Sequence, residues 1–278
     1  MKYWKGRIHS FIPNALFRNV KNLFTRAIVR PPGQNFSNGL TTASLGAPAL
    51  SVALRQHEAY CEALQSCGLL LTRLPPDEQH PDSTFVEDTA VLTARCAIVT
   101  RPGAESRRGE VPAIEEELLK SFGGVAKIET PGTLDGGDIC EAGNHFFIGI
   151  SERTNDEGAR QLAEILRTHG YSSKFIDIRN VKGILHLKSG IAYLGSNQLV
   201  VIDELAELDA FRKCELIRVK PGEDYSANCI EVNGSILVAQ GYAQLREQLE
   251  RKGFATVSVE MSEFQKMDGG LSCLSLRY

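Results

Sequence analysis

A cysteine lies only five residues before the C-terminus of this chain, three residues after a pair of glycines in the run MDGGLSC. Chain ends usually fray, so a reactive thiol there would be poorly held unless another part of the chain fixes it. A thiol also needs activating neighbours before it becomes a good nucleophile. Cys273 is therefore either an incidental small apolar residue or a nucleophile on a terminal segment that something else clamps.

Short polar runs recur along the chain, each just before or inside a strand-like stretch. Besides the last one they are PDSTFVED (81–88), TLDGGD (133–138), LHLKSG (185–190) and SANC (226–229). Four of their carboxylates and one imidazole lie where they could face a common axis: Glu87, Asp88, Asp135, Asp138 and His186. One aspartate in a loop usually caps a turn or is solvated, so the repetition carries the prediction. We expect these groups to meet around Cys273.

This combination of groups indicates a cationic ligand. Carboxylates raise the pKa of a nearby thiol, whereas most catalytic cysteines have electropositive surroundings. A guanidinium is planar and matches carboxylates in bidentate geometry, and its positive charge would favour the thiolate once it is bound. A cysteine, a histidine and carboxylates gathered on a guanidinium therefore indicate nucleophilic attack on its central carbon.

The elements that must position these groups form an internal repeat. Four copies of a strand–strand–helix–strand unit follow one another at a period of roughly 40 to 50 residues, which is typical of a propeller, a solenoid or an array. The first copy begins near Phe85 and has a predicted helix from about Val111 to Lys120. In the second copy Ala159, Leu162, Ile165 and Leu166 form the apolar stripe of a helix that Gly170 ends.

A fifth copy of the unit is split between the two ends of the chain. Its strand FTRAIVRP and its helix SVALRQHEAYCEALQSCG lie near the front, and its first strand is LSCLSLRY at the very end. Pairing of the last strand with the first would close a ring and leave neither as an exposed edge. Cys273 would then lie on a clamped strand that faces the hub.

Composition excludes several classes of function. The chain has 278 residues, a net charge of -3 and a pI near 6.1, which gives no reason to expect a nucleic-acid partner. No apolar run approaches the roughly 18 residues that span a bilayer, so no membrane partner is expected. The seven cysteines are scattered without a CxxC pair, and the six histidines show no HxxxH spacing. We therefore expect no disulfide framework and no metal, in a reducing cytoplasm.

The first 57 residues contain no Asp or Glu but several Lys and Arg. Such stretches occur as organelle transit peptides or membrane-surface helices. This one lacks the Ser and Arg enrichment of a good transit peptide. We interpret residues 1–24 as an extension of uncertain order and residues 25–278 as a single catalytic domain.

The motifs TRPGAESRRGE, PDSTFVED, DGGD, HLKSG, ANCI and MDGGLSC resemble those of the dimethylarginine dimethylaminohydrolase family, above all its bacterial members. The resemblance covers residues 25–278, with the motifs in the right order and at suitable gaps. It implies an α/β fold, the five-bladed ββαβ propeller called the pentein fold. It also implies hydrolysis of Nω-methylated arginines to citrulline and dimethylamine or methylamine, through a covalent thiouronium and without a cofactor. A homodimer is left open.

The resemblance implies three catalytic residues. Cys273 would be the nucleophile, and His186 would protonate the leaving amine and then activate water. Asp135 would be the acidic partner, at a position where some relatives carry Glu.

Seven residues would contact the substrate by the same resemblance: Leu40, Asp82, Glu87, Asp88, Arg107, Arg153 and Met267. Asp88, with Glu87 beside it, would grip the guanidinium. The two arginines would bind the α-carboxylate, and their equivalent loops in successive repeats support a shared role independently. Asp82 would hold the α-amino group and Leu40 would cover the site from a lid loop. Relatives usually carry a branched aliphatic residue in place of Met267.

Three other activities use the same fold or chemistry. Arginine deiminases act on free arginine, but they are usually longer and carry a helical insertion that this chain lacks. Amidinotransferases pass the amidino group to an amine and are also typically longer. A catalytically inactive amino-acid binder, or a protein like the propeller-fold ribosome anti-association factor, would not need the catalytic set. An assay for citrulline from dimethylarginine, monomethylarginine and arginine separates these alternatives.

Overall fold

Five three-stranded sheets form the framework of the computed structural model, which describes residues 23–278. Nearly all of the predicted N-terminal extension, residues 1–22, lies outside the described residues. The strands in chain order are β1 (Arg26–Val29), β2 (Leu70–Arg73), β3 (Ala90–Leu92), β4 (Ala97–Val99), β5 (Val125–Lys127), β6 (Ile139–Ala142), β7 (His145–Ile150), β8 (Ser172–Asp177), β9 (Ile191–Tyr193), β10 (Gln198–Val201), β11 (Glu215–Arg218), β12 (Ile230–Val232), β13 (Ser235–Ala239), β14 (Ala255–Val259) and β15 (Leu276–Arg277).

All five sheets share one topology. The central strand pairs antiparallel with the first strand of the unit and parallel with the third, as β4 does with β3 and β5. The remaining sheets are β6-β7-β8, β9-β10-β11, β12-β13-β14 and β15-β1-β2. Central strands are nearly continuous apolar runs, because both of their faces are covered. The repeated unit predicted from the sequence is therefore present in all five copies.

Seven helices occur between residues 23 and 278: α1 (Leu50–Ser66), α2 (Val111–Leu119), α3 (Asp156–Thr168), α4 (Leu187–Gly190), α5 (Asp203–Ala206), α6 (Ala243–Arg251) and α7 (Ser262–Gln265). In α3 the predicted stripe is buried at Ala159, Leu162 and Leu166 and half-buried at Ile165. The side chain of Asn155 caps the start of this helix by accepting from the backbone N–H of Gly158 at 2.8 Å. The unit of β9 to β11 keeps only the single-turn helix α5, so its helix is much shorter than in the other units.

The C-terminal segment is fixed to the front of the chain. Strand β15 pairs antiparallel with β1, with Leu276 opposite Ile28, which is the pairing that the sequence predicts. The carbonyl of Tyr278 accepts from the backbone N–H of Thr25 at 2.8 Å. The hydroxyl of Tyr60 on α1 lies 2.6 Å from that of Ser275, buried between the two segments. Cys273 is thus not on a frayed end.

Apolar side chains of neighbouring sheets share one packed interior. Phe147 on β7, Val200 on β10 and Val238 on β13 belong to a single buried cluster. The rings of Phe147 and Phe211 pack edge to face, with centroids 5.0 Å apart. No helix within residues 23–278 has the length and apolar character needed to cross a membrane.

Candidate active site

A short turn precedes the first strand of every sheet, and these turns carry the polar runs. The turns are Val86–Thr89, Gly136–Asp138, Leu187–Gly190, Asp224–Ala227 and Ser272–Leu274. The sequence predicts Cys273 on the last strand, but the structure places it in the turn before that strand. Its backbone N–H bonds to the carbonyl of Gly270 at 3.2 Å, and ladder pairing starts only at Leu276. The cysteine therefore occupies the same place in its unit as the acidic runs do in theirs.

The Cys273 thiol is buried and surrounded by negative charge. Only 9% of the residue is exposed, and the Sγ atom accepts a hydrogen bond from the backbone N–H of Gly270 at 3.4 Å. Burial raises the pKa of the thiol to about 12, and the carboxylates of Glu87 and Asp88 add to this shift. Without a ligand, Cys273 is a protonated and weak nucleophile at neutral pH.

His186 and Asp135 form a buried pair. Nε2 of His186 lies 3.0 Å from Oδ2 of Asp135, and the other oxygen of this carboxylate accepts from the backbone N–H of Gly103 at 2.9 Å. Burial alone would lower the pKa of His186, but the charges of Asp88 and Asp135 outweigh it and raise that pKa to about 9. The imidazole is consequently protonated at neutral pH and can give up a proton.

Asp138 supports this pair from behind. Its Oδ2 accepts from the hydroxyls of Ser151 and Thr154, both at 2.6 Å, and its Oδ1 accepts from the backbone N–H of Leu187 at 3.0 Å. Asp138 is completely buried, and this burial raises its pKa. The carboxylate holds the turn that follows His186, and it does not line the cavity beside Cys273.

Asp88 is buried at the base of the site. Its Oδ1 accepts from the backbone N–H of Gly137 at 2.9 Å, and its Oδ2 from Nη1 of Arg107 at 2.5 Å. Burial alone would raise the pKa of Asp88, but the charges of His186 and Arg107 lower it to about 2. Residue 137 must be glycine, because a Cβ there would lie 2.8 Å from both the Asp88 carboxylate and the His186 ring.

The two arginines that the sequence treats alike have different surroundings. Arg107 is 4% exposed, and its Nε and Nη2 donate to Glu110 at 3.0 and 2.8 Å while Nη1 donates to Asp88. The Arg153 side chain is 18% exposed, and its Nη1 lies 3.9 Å from Oδ2 of Asp135. Arg107 therefore starts fully paired, whereas Arg153 is the more available cation.

The Glu87 side chain has different partners from those of its neighbour Asp88. Its carboxylate accepts from the hydroxyl of Ser272 at 2.6 Å and from Nζ of Lys188 at 2.5 Å. Glu87 is 4% exposed and is not among the residues that line the cavity. The structure thus directs this carboxylate toward the turn of Cys273 and outside the cavity lining.

The mouth of the cavity is covered by the loop that follows Gly39. The backbone N–H of Leu40 donates to the Asp82 carboxylate at 3.0 and 3.2 Å, and the hydroxyl of Thr42 donates to Asp268 at 3.0 Å. Leu40 is 43% exposed, whereas Met267 beneath it is buried. Burial raises the pKa of Asp82. The loop is held at its start by carboxylates, as a lid would be.

One cavity collects most of the predicted site residues. Eight of the ten line it: Leu40, Asp82, Asp88, Arg107, Arg153, His186, Met267 and Cys273. The other two act from outside it, Asp135 through His186 and Glu87 through Ser272. Among the residues that the sequence did not single out, Phe85 and Leu185 line the cavity and Glu110 pairs with Arg107. All three lie inside the quoted motifs PDSTFVED, LHLKSG and TRPGAESRRGE, but nothing in those motifs marks an apolar wall residue or a buried ion-pair partner.

Three of these groups are close enough to share a cation. Ligand atoms of Asp88, Asp135 and His186 lie within 4.8 Å of one another. Each of them already has a protein partner, however, since Asp88 binds Arg107 and Asp135 binds His186. The arrangement matches an organic cation, which brings its own hydrogen-bond donors, better than a metal ion.

Known proteins resemble this chain over most of its length. The family model for arginine deiminase matches residues 111–239. The N(G),N(G)-dimethylarginine dimethylaminohydrolase of Pseudomonas aeruginosa is 47% identical over 257 residues, which cover 92% of this chain and all of the relative. The enzyme of that name from Streptomyces coelicolor is 33% identical, over 91% of this chain and 96% of the relative.

Solved structures agree with these sequences. A crystal structure of the Pseudomonas enzyme, a cysteine-to-serine variant complexed with citrulline, superposes with a TM-score of 0.90 at 46% identity. The match covers 92% of this chain and 100% of that one. The chain therefore belongs to the dimethylarginine dimethylaminohydrolase family.

Proposed function

We propose that this protein hydrolyses Nω,Nω-dimethylarginine and Nω-monomethylarginine to citrulline, with release of dimethylamine or methylamine. The observation that carries the proposal is one cavity in which Cys273, the protonated His186 and the Asp88 carboxylate meet. A thiol, an acid and an anionic contact are what attack on a guanidinium carbon requires. Membership of the family adds the substrate class, and a relative's structure contains citrulline.

Binding exchanges the partners of an internal ion pair. Asp88 and Arg107 are bound to each other in this structure. The substrate carries a guanidinium at one end and an α-carboxylate at the other, so it can give each partner a new counter-ion. In the proposal the substrate guanidinium binds Asp88. The substrate α-carboxylate binds Arg153 and the N–H group of Arg107 that Asp88 releases. Asp82 receives the α-amino group, while Leu40 and Met267 cover the ligand.

The bound cation then activates the thiol. A positive charge beside Cys273 counteracts the burial and the negative charges that raise its pKa. As the cation binds, the thiol loses its proton to solvent. The thiolate sulfur then forms a bond with the guanidinium carbon, and the proton on His186 passes to the departing amine as the carbon–nitrogen bond breaks. The product of this step is a covalent thiouronium.

Water completes the reaction. Neutral His186, still held by Asp135, takes a proton from a water molecule that attacks the thiouronium carbon. The carbon–sulfur bond breaks, Cys273 is released and the ureido group of citrulline forms. His186 acts first as an acid and then as a base, which its pKa of about 9 in the free protein permits because the imidazole starts protonated.

Substrate choice is the test of the proposal. Phe85, Leu185 and Met267 give the cavity apolar walls. Burying a methyl contributes only about 0.8 kcal/mol, but an unmethylated nitrogen against such a wall leaves an N–H without a partner, at about 1 to 3 kcal/mol each. We expect higher kcat/KM for both methylated arginines than for arginine, measured as citrulline formed. Equal or better turnover of arginine would favour the arginine deiminase alternative.

Several broader features belong to the same proposal. The five sheets close into a five-bladed propeller around the cavity, an arrangement supported by the pairing of β15 with β1. Residues 25–278 act as one catalytic domain, with residues 1–24 as an extension.

We place the protein in the cytoplasm because all seven cysteines are free. A homodimer remains a prediction that light scattering can decide.

A further inference from the structure

Four residues, three of them buried and Lys188 half-buried, link the turn of the nucleophile to three other turns. They are Glu87, Lys188, Asn228 and Ser272, and each belongs to, or directly follows, the turn before a different sheet. The hydroxyl of Ser272 donates to Glu87 at 2.6 Å, and Nζ of Lys188 donates to the other oxygen of that carboxylate at 2.5 Å. We call this set the inter-sheet network.

Asn228 completes the network with three hydrogen bonds. Its Oδ1 accepts from the backbone N–H of Ser272 at 2.9 Å, and its Nδ2 donates to the Ser272 hydroxyl at 3.1 Å and to the Lys188 carbonyl at 2.9 Å. Asn228 is 6% exposed and Ser272 is 3% exposed. A Cβ at Gly270 would lie 2.5 Å from the Asn228 amide, so the glycine lets that amide approach the turn.

The network joins the positions of the two reacting groups. Ser272 immediately precedes Cys273, and Lys188 lies two residues after His186. The amide of Asn228 holds both segments through their backbones, so the separation of thiol and imidazole depends on it. Glu87 binds both segments through their side chains. Buried networks whose members are all satisfied hold one arrangement rigidly.

We propose that Glu87, Asn228 and Ser272 are positioning residues for Cys273 and His186, and that Glu87 acts through Ser272 and not on the substrate. The positioning role rests on the proposed function only because the kinetic experiments below measure hydrolysis of dimethylarginine. Displacement of reacting groups by about 1 Å costs on the order of a hundredfold in rate. The substrate contacts at Asp88, Arg107 and Arg153 stay in place when the network is broken.

The first arm compares two buried serines. Ser272→Ala removes the hydroxyl that joins Glu87 to the turn, whereas Ser226→Ala removes a hydroxyl that is equally buried and has no hydrogen-bond partner. We expect Ser272→Ala to lower kcat for dimethylarginine at least about tenfold with KM within about twofold, because only the geometry of reaction changes. Ser226→Ala should match the wild type. Wild-type kcat in a folded Ser272→Ala protein, or a loss confined to KM, would overturn the proposal.

The second arm uses Glu87→Gln, which keeps the shape of the side chain if Ser272→Ala does not fold. We expect kcat to fall several-fold with KM unchanged, since a charge-assisted bond to Ser272 becomes a neutral one. A rise in KM with unchanged kcat would place Glu87 on the substrate and overturn the proposal.

A third measurement on the same variant needs no substrate. In addition to burial, Glu87 and Asp88 raise the pKa of Cys273 and Lys188 lowers it, while charged His186, Arg107, Arg153, Asp82 and Asp268 line the same cavity, so removing the Glu87 charge should favour the thiolate. Alkylation of Cys273 by iodoacetamide at pH 8 should be faster in Glu87→Gln than in the wild type. If alkylation is faster in Glu87→Gln but the wild type hydrolyses no methylarginine, the inter-sheet network is supported and the proposed function is wrong. Unchanged alkylation would show that Glu87 does not act on the thiol turn.

Discussion

Two groups of residues around the cavity are held in different ways: a floor (Asp88, His186 and Cys273, with Asp135 behind His186) and a mouth (Leu40, Asp82 and Asp268, with Thr42 bonded to Asp268). Every floor residue is buried and lies in or directly before the turn that leads into a first strand. At the mouth, the loop after residue 39 has no helix or strand, and it is attached by hydrogen bonds from its own backbone and hydroxyl to two carboxylates.

Because of this difference, we expect the floor to govern the reaction and the mouth to govern access of the substrate to the cavity. The floor is a product of the repeat, because equivalent turns of different sheets bring their side chains to one place. Its hydrogen bonds are buried, where an unmatched partner costs about 1 to 3 kcal/mol or more. The mouth depends on a single loop, and its contacts between Thr42 and Asp268 are exposed to water, where a charged contact is worth about 0.2 to 1 kcal/mol. Changes at the floor should act on kcat, and changes at the mouth on KM.

The largest effect is expected at the nucleophile. Cys273→Ser should abolish detectable citrulline formation with an unchanged melting temperature, because serine is nearly isosteric but far less nucleophilic at neutral pH. Cys229→Ser is the matched control, since Cys229 is also buried and also has a pKa raised to about 12 by burial. Equal losses in the two variants would mean that the floor has been assigned to the wrong thiol.

A smaller loss of activity is expected when the charge of the Asp88 carboxylate in the floor is removed. Asp88→Asn keeps the shape of the side chain but removes the charge that grips the guanidinium. A hydrogen bond to a charged group is worth about 1.5 to 3 kcal/mol, so kcat/KM should fall at least about tenfold. Asp209→Asn, at an exposed position, controls for the loss of one negative charge. Unchanged kcat/KM in a folded Asp88→Asn protein would remove Asp88 from the site.

The smallest effect is expected at the mouth. Asp268→Asn weakens the attachment of the lid loop at Thr42, so KM for dimethylarginine should rise by less than about fivefold with kcat nearly unchanged. Thr42→Val, which keeps the backbone N–H and removes only the hydroxyl, should have a still smaller effect. If kcat of Asp268→Asn falls as far as that of Asp88→Asn, the mouth takes part in the reaction and the distinction between floor and mouth is wrong.

Local sequence determined the elements and the kinds of residue at the site. Helices α1, α3 and α6 follow from apolar periodicity and end signals that lie within one segment, and the repeated unit follows from their regular spacing. The polar runs at the starts of the units identified Asp88, His186 and Cys273 as site residues, although Cys273 was expected on the last strand and lies in the turn before it. These inferences need no knowledge of distant contacts, which is why they could be made from the chain alone.

Tertiary structure decided where the side chains of these residues point. Asp88 and Glu87 are adjacent in one motif, yet Asp88 lines the cavity while Glu87 binds Ser272, 185 residues away. Arg107 and Arg153 occupy equivalent loops, but only Arg107 has a buried glutamate, Glu110, in reach. The direction of a charged side chain is set by the partner that neutralises it. Such partners come together only when the sheets assemble, so a motif gives the residue type and the fold gives its contact.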